Sequence, residues 1–132
     1  MAQITEDYVS FETAKLLKEK GFTLPVKNYY SLYTEDVKYN LQKKYGAKKN
    51  WNSFALAVSR PSQSLVMKWL REEKDVQIEI PIVGTDTWVS PTKWMYGFRC
   101  QTKDVIDGRN ANFSSYEEAA EVAIKYCLEN LI

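Results

Sequence analysis

The segment that decides the fold runs from residue 60 to residue 82 and reads RPSQSLVMKWLREEKDVQIEIPI. In its first half, apolar residues recur at helical spacing with charged residues between them, and the apolar set is Leu65, Val66, Trp69 and Leu70. After Asp75 the period falls to two, so that one face of a strand would carry Val76, Ile78, Ile80 and Ile82. A helix that leads directly into a half-buried strand predicts a small α+β domain.

The composition is typical of an ordinary soluble globular protein. The chain has 132 residues, of which 45% are hydrophobic and 27% are charged. This length predicts a single globular domain over residues 1–132. No apolar run approaches the roughly 18 residues of a membrane span, and the first residues are acidic where a signal peptide needs basic ones. We therefore expect a cytoplasmic protein with no membrane partner.

The chain contains no histidine. Histidine is the commonest general base and the commonest transition-metal ligand, and it activates most serine and cysteine nucleophiles. Its absence favours a protein that is not an enzyme, with no catalytic residue, no metal and no cofactor. Cys100 and Cys127 are predicted to be small buried apolar groups instead of disulfide halves or nucleophiles.

Helix-boundary signals predict two more helices, so that the three helices lie near residues 11–20, 61–74 and 116–131. Ser10 is a good N-cap for the first helix, and Gly21 followed by Phe22 is a frequent helix end. Before the last helix, Ser115 and Glu118 have the spacing of a capping box. The fold class expected is α+β, with three helices packed on a small, mainly antiparallel β-sheet.

The strand signals are uneven. The clearest strand after the 76–82 segment spans 93–101, and its apolar face would carry Trp94, Tyr96, Phe98 and Cys100. Pro81 predicts an edge position or a strand end, because proline cannot donate to a ladder. Asp107-Gly108 predicts a tight turn before a short strand at 110–113. Shorter strands are predicted within 27–33, 37–41 and 54–58, and an exposed loop at 42–52.

Three segments together resemble a group of small proteins. They read SFETAKLLKEKGF at 10–22, PSQ at 61–63 leading to KWLRE at 68–72, and SYEEA at 115–119. In this order and spacing the chain resembles small proteins encoded by phages and prophages of gut anaerobic bacteria. The resemblance implies a phage or prophage accessory protein in the host cell cytoplasm. That group has no assigned activity, so the resemblance transfers no catalytic or binding residue.

The charge distribution supplies the main functional clue. Residues 37–71 carry eight basic side chains and no acidic one. Lysines interleaved with aromatic rings can bind phosphates and unpaired bases, which makes this segment a candidate nucleic-acid or partner contact. The candidate residues are Lys38, Lys43, Lys44, Lys48, Lys49, Tyr45 and Trp51. The alternative interpretation is a solvated loop whose tyrosines cover the core.

Protein association is the first functional prediction, and nucleic-acid binding is the second. Four tryptophans and nine tyrosines are many for this length, and such residues are enriched at interface centres. We expect Trp69 and Trp94 to be core residues, which leaves Trp51 and Trp88 as candidate surface anchors. An unpaired edge at the Pro81 strand could also be covered by a second copy of the chain.

Overall fold

The structure, a computed structural model, describes residues 6–34, 36–39, 48–85, 94–103 and 106–132. The helices in these residues are α1 (Phe11–Glu19), α2 (Gln63–Glu73) and α3 (Tyr116–Asn130), with a short 3₁₀ helix at Trp51–Ser53. The strands are β1 (Asn28–Ser31), β2 (Val37–Tyr39), β3 (Ala57–Ser59), β4 (Gln77–Glu79), β5 (Ile82–Thr85), β6 (Trp94–Gln101) and β7 (Ile106–Phe113). The described residues thus have the predicted α+β fold, with every strand pair antiparallel.

The residues cluster into two compact units, which we call the N-terminal unit (Met1–Ser62) and the C-terminal unit (Gln63–Ile132). Each unit has its own antiparallel sheet. That the whole chain is a single domain stays a prediction.

Helix α1 begins and ends as its sequence predicts. The Ser10 hydroxyl accepts a hydrogen bond from the Thr13 backbone N–H at 3.3 Å. At the other end Gly21 adopts a φ of 87°, a left-handed conformation that costs glycine little. The Phe22 N–H then donates to the Leu17 carbonyl at 3.0 Å, the bond that closes many helix ends. Phe22 and Leu17 are both buried in the core of the N-terminal unit.

The sheet of the N-terminal unit has the order β2-β1-β3. Tyr30 lies at its centre, opposite Val37 on one side and Val58 on the other. Tyr30 is buried, and its hydroxyl donates to the Val9 carbonyl at 2.6 Å. Because side chains alternate along a strand, Tyr29 points to the opposite face, where it is only half-buried. That second face carries the candidate site.

The central segment forms the predicted helix, beginning two residues after Pro61. Val66, Trp69 and Leu70 are buried, which confirms Trp69 as a core residue. The helix ends where Asp75 takes a left-handed φ of 57° and the Val76 N–H donates to the Leu70 carbonyl at 3.0 Å. The chain then enters the sheet of the C-terminal unit directly.

The predicted strand at 76–82 is broken into two. Its halves, β4 and β5, pair with successive parts of β6 along one edge, and β7 pairs along the other edge. Pro81 lies at the break, where its carbonyl accepts from the Gly97 N–H at 3.0 Å, in agreement with an edge position. The predicted inward orientation of Ile82 is wrong, since this side chain is 56% exposed. Period-two alternation holds only along a continuous strand, and the register shifts again between Ile82 and Gly84.

The predicted turn at Asp107-Gly108 is also wrong. Both residues lie inside β7, where Asp107 is paired with Cys100 and Gly108 with Arg99. The connection between β6 and β7 falls between Gln101 and Ile106. A two-residue turn preference is a local signal, and pairing along most of β6 outweighs it.

The predicted apolar face of β6 is present as far as its side chains are described. Phe98 and Cys100 are buried and Tyr96 is half-buried, whereas the side chain of Trp94 lies outside the described part. Helix α3 packs against β6, and also contacts α2 and β7, and six of its residues are buried at helical spacing. These residues are Ala119, Ala120, Ala123, Ile124, Cys127 and Leu128.

The start of α3 follows the predicted cap in one respect and departs from it in another. The Ser115 hydroxyl accepts from the Glu118 N–H at 3.1 Å, as expected of an N-cap. The Glu118 carboxylate accepts from the Ser114 hydroxyl at 2.9 Å, one residue earlier than a capping box predicts. No helix among the described residues has the length and apolar character needed to cross a membrane.

Candidate binding groove

The 3₁₀ helix positions Trp51, the candidate aromatic of the basic segment. The Asn50 side chain caps it by accepting from the Asn52 N–H at 3.1 Å. The Asn52 amide holds it in the unit, since its nitrogen donates to the Phe22 carbonyl and its oxygen accepts from the Ser59 N–H, both at 2.8 Å. Hydrogen bonds of both sequence neighbours, Asn50 and Asn52, therefore hold the backbone at Trp51 in place.

The indole of Trp51 is itself held by two contacts. Its Nε1–H donates to the Val26 carbonyl at 2.9 Å. Its ring stacks on Tyr29, with 4.3 Å between the centroids and 30° between the planes. Phe54 lies against the same indole at 5.8 Å. Three aromatic rings thus form one cluster on the outer face of β1.

This cluster borders a surface groove of about 340 Å³, which we call the aromatic groove. Three large apolar side chains in its lining remain exposed: Tyr33 by 79%, Leu56 by 55% and Phe54 by 50%. The lining residues that the structure describes include no acidic one. They are Tyr29, Ser31, Tyr33, Lys38, Trp51, Phe54, Leu56 and Ala57.

Lys18 of α1 supports the rim of the aromatic groove. Its ammonium donates to the Phe54 carbonyl at 2.7 Å and to the Ala57 carbonyl at 2.9 Å. These charge-assisted bonds satisfy two backbone acceptors between the 3₁₀ helix and β3. The rim that carries Leu56 is consequently tied to α1.

The predicted basic residues divide into several groups. Lys38 lines the aromatic groove, and the Lys49 ammonium lies 5.8 Å from the centroid of the Trp51 ring. Lys48 is exposed. Three other candidates of this segment, Lys43, Lys44 and Tyr45, lie outside the described residues, as does the candidate interface residue Trp88.

The remaining basic residues of the 37–71 segment do not extend this group. The Arg60 guanidinium lies 4.1 Å from the centroid of the Tyr8 ring, and its Nε donates to the Tyr30 hydroxyl at 3.3 Å. Lys68 and Arg71 belong to α2 in the C-terminal unit. Two lysines, Lys38 and Lys49, therefore accompany the aromatic groove in the described part of the N-terminal unit.

Sequence reasoning missed six residues of the described lining: Tyr29, Ser31, Tyr33, Phe54, Leu56 and Ala57. The alternation of Tyr29, Ser31 and Tyr33 was the available signal, because period two puts them on one face. Nothing local marks Leu56 as their neighbour. The pairing of Ser31 with Ala57 brings the two segments together.

The described lining of the aromatic groove is mainly aromatic and aliphatic. Its lining offers ring faces, aliphatic surface, two tyrosines, one serine and one lysine. Among the residues that the structure describes, no group of three or more Cys, Asp or Glu side chains is placed to hold a metal ion.

The structure is thus that of a small α+β protein with an exposed aromatic groove. Comparisons with protein-family models, with curated proteins and with solved structures found no match.

Proposed function

We propose that the protein acts by binding another protein, and that the aromatic groove receives an apolar side chain of that partner beside an acidic residue. The observation that carries this proposal is the exposure of Tyr33, Leu56 and Phe54 around one groove. Full burial of a large apolar side chain of the partner, such as Leu or Phe, contributes about 1.5–3 kcal/mol. Aromatic side chains in a concave surface are typical of interface centres.

Charge supports an acidic residue in the partner. Lys38 lines the aromatic groove and Lys49 lies beside Trp51, and the part of the lining that the structure describes has no acidic residue. The sequence of the N-terminal unit contains ten Lys and Arg against six Asp and Glu. A positive surface of this kind attracts an acidic segment and mainly raises its association rate.

Rigidity also supports binding. Trp51 is held through its indole N–H and Asn52 through both ends of its amide. The rim is held by Lys18. A surface that is already ordered loses little side-chain freedom when a partner binds, so more of the contact energy appears as affinity.

Single-stranded nucleic acid is the alternative partner. It would need lysines along a track and rings with open faces. Tyr29 already covers one face of Trp51, and the Arg60 guanidinium is occupied by Tyr8 and Tyr30. These contacts favour a protein partner over a nucleic acid. The phage or prophage context, the cytoplasmic location and self-association stay predictions.

The proposal is tested by selecting short random peptides, displayed on phage, against the full chain. We expect enrichment of peptides with one large apolar residue next to Asp or Glu. Leu56→Ser should weaken the selected peptide about tenfold, a loss of about 1.4 kcal/mol. Lys38→Glu should weaken it by a similar factor and reduce its dependence on salt.

Matched controls lie in the C-terminal unit. Ile82 is exposed as much as Leu56, so Ile82→Ser should leave peptide affinity unchanged, and Lys68→Glu is the control for Lys38→Glu. Equal losses in the groove and control variants would overturn the proposal. So would failure to enrich a motif while labelled oligothymidylate binds with strong salt dependence, a result that would establish the alternative.

A further inference from the structure

Two cysteines lie side by side inside the C-terminal unit. Cys100 belongs to β6 and Cys127 to α3, neither is part of a disulfide bond, and both are fully buried. Their sulfur atoms are 3.0 Å apart, with the Cys127 thiol donating to Cys100 Sγ. The Cys100 thiol in turn donates to the Ala123 carbonyl of α3 at 3.7 Å. The sequence predicts each cysteine as a separate apolar group, and only the packing of α3 on β6 makes them a pair.

We propose that Cys100 and Cys127 are a redox-modification site, which a peroxide oxidises to a disulfide bond between β6 and α3. In the first step one sulfur attacks a peroxide oxygen and the O–O bond breaks, which gives a sulfenic acid and one water. In the second step the other thiol attacks that sulfur, the S–O bond breaks and a second water leaves. Two thiols and one hydrogen peroxide thus become one disulfide and two waters.

The geometry fits this chemistry. A disulfide has an S–S length of about 2.05 Å, so the sulfur atoms need to approach by about 1 Å from their 3.0 Å separation. A thiol already in contact with its neighbour can capture a sulfenic acid before further oxidation. The chain has two cysteines in total, so no third thiol competes for the intermediate.

Burial of the two thiols determines how fast they are oxidised. Both thiols have no exposed surface, and buried thiols react slowly unless the structure opens locally. The pair is therefore expected to resist brief exposure to peroxide and to form the disulfide on prolonged exposure. The resulting bond would join the centre of the sheet to the helix that covers it.

The test is peptide mapping of the folded wild-type protein after incubation with hydrogen peroxide. Trypsin cuts after Arg99, Lys103 and Lys125. We expect a linked product of peptide 100–103 with peptide 126–132, about 2 Da lighter than the sum of the two. Mapping separates this product from methionine oxidation. Dithiothreitol should release both peptides.

Two further measurements complete the test. Cys100→Ser and Cys127→Ser should each give no linked product, and the remaining cysteine should carry added oxygen. The linked wild-type protein should unfold at a higher urea concentration than the reduced protein. Added oxygen on wild-type cysteines without a link, or a link formed only in unfolding urea, would overturn the proposal. The site is independent of the aromatic groove, so either proposal can fail alone.

Discussion

Tyr29 and Tyr30 are neighbours in the sequence and have opposite roles in the N-terminal unit. Tyr30 is buried, with its hydroxyl on the Val9 carbonyl and its ring edge-on to Phe11 at 5.6 Å. Tyr29 faces outward and stacks on Trp51. Period two predicts that the two rings lie on opposite faces. Which of them is buried depends on where α1 and its flanking residues pack.

Cys127 gives a prediction about pH at the residue scale. Its pKa is raised by the hydrogen bond with Cys100, by burial and by repulsion from a charged Cys100. An unfolded thiol has a pKa of about 8.5. Below that pH both states keep the proton, and the contribution of Cys127 to stability is fully present. Above it the unfolded state loses the proton first, so the free energy of unfolding falls by up to about 1.4 kcal/mol per pH unit.

This fall is measured by urea unfolding in reducing buffer at about pH 8, 9 and 10. Cys127→Ala removes the titrating group and should give a shallower decline than the wild type. Loss of the side chain also lowers the free energy of unfolding by an amount that does not depend on pH. Comparing the slopes against pH, and not the absolute values, removes this contribution. Parallel slopes in the two proteins would contradict a raised pKa for Cys127.

At the scale of elements, helix ends follow short sequence signals closely. Ser10, Gly21 and Ser115 act within one turn of their own position, and the structure has each in its predicted role. Strand ends depend on a partner elsewhere in the chain. The predictions of a turn at Asp107-Gly108 and of an unbroken strand at 76–82 were both wrong. In each case the strand ends are set by hydrogen-bonded pairing with β6.

The cap of α3 gives a prediction at this scale. Ser115→Ala removes the acceptor for the Glu118 N–H and should lower the free energy of unfolding by about 1 kcal/mol. Ser114→Ala is the matched control, because the Ser114 hydroxyl donates to the exposed Glu118 carboxylate and not to a backbone group of the first turn among the described residues. Urea unfolding followed by circular dichroism measures both. Equal losses would show that the cap bond does not stabilise α3.

At the scale of the whole molecule, the net charge of +1 is the sum of a positive N-terminal unit and a negative C-terminal unit. The N-terminal unit has ten basic and six acidic residues, and the C-terminal unit has eight basic and eleven acidic residues. The basic 37–71 segment thus ends within ten residues of the boundary between the units. The aromatic groove belongs to the positive unit, which agrees with an acidic partner.

The absence of histidine gives a prediction for the whole chain. Ordinary carboxylates titrate near pH 4, and thiols, tyrosines and lysines titrate above about pH 8. We therefore expect the free energy of unfolding to be constant within about 0.5 kcal/mol between roughly pH 6 and 8. Urea midpoints across this range check the plateau. A steep slope within it would contradict the expectation and would show that a group with a shifted pKa titrates there.

The candidate site could be predicted only in part. Composition marked Lys38, Lys49 and Trp51, which accompany the aromatic groove in the structure. It also marked Arg60 as one of the basic residues, whose guanidinium lies over Tyr8 and Tyr30. A count of charges along the sequence cannot distinguish a free cation from one that packs on a ring.

The sequence by itself determined the α+β class, the three helices with most of their ends, and the core position of Trp69. Those features depend on periodicity and capping, which act over a few residues. Only the tertiary structure decided the aromatic groove, the pairing of β4 and β5 with β6, and the Cys100–Cys127 pair. Each of these requires contact between residues far apart in the chain, such as the pairing of Ser31 with Ala57 and the packing of α3 on β6. Such contacts are determined by burial and strand pairing across a whole unit, and a local sequence pattern does not predict them.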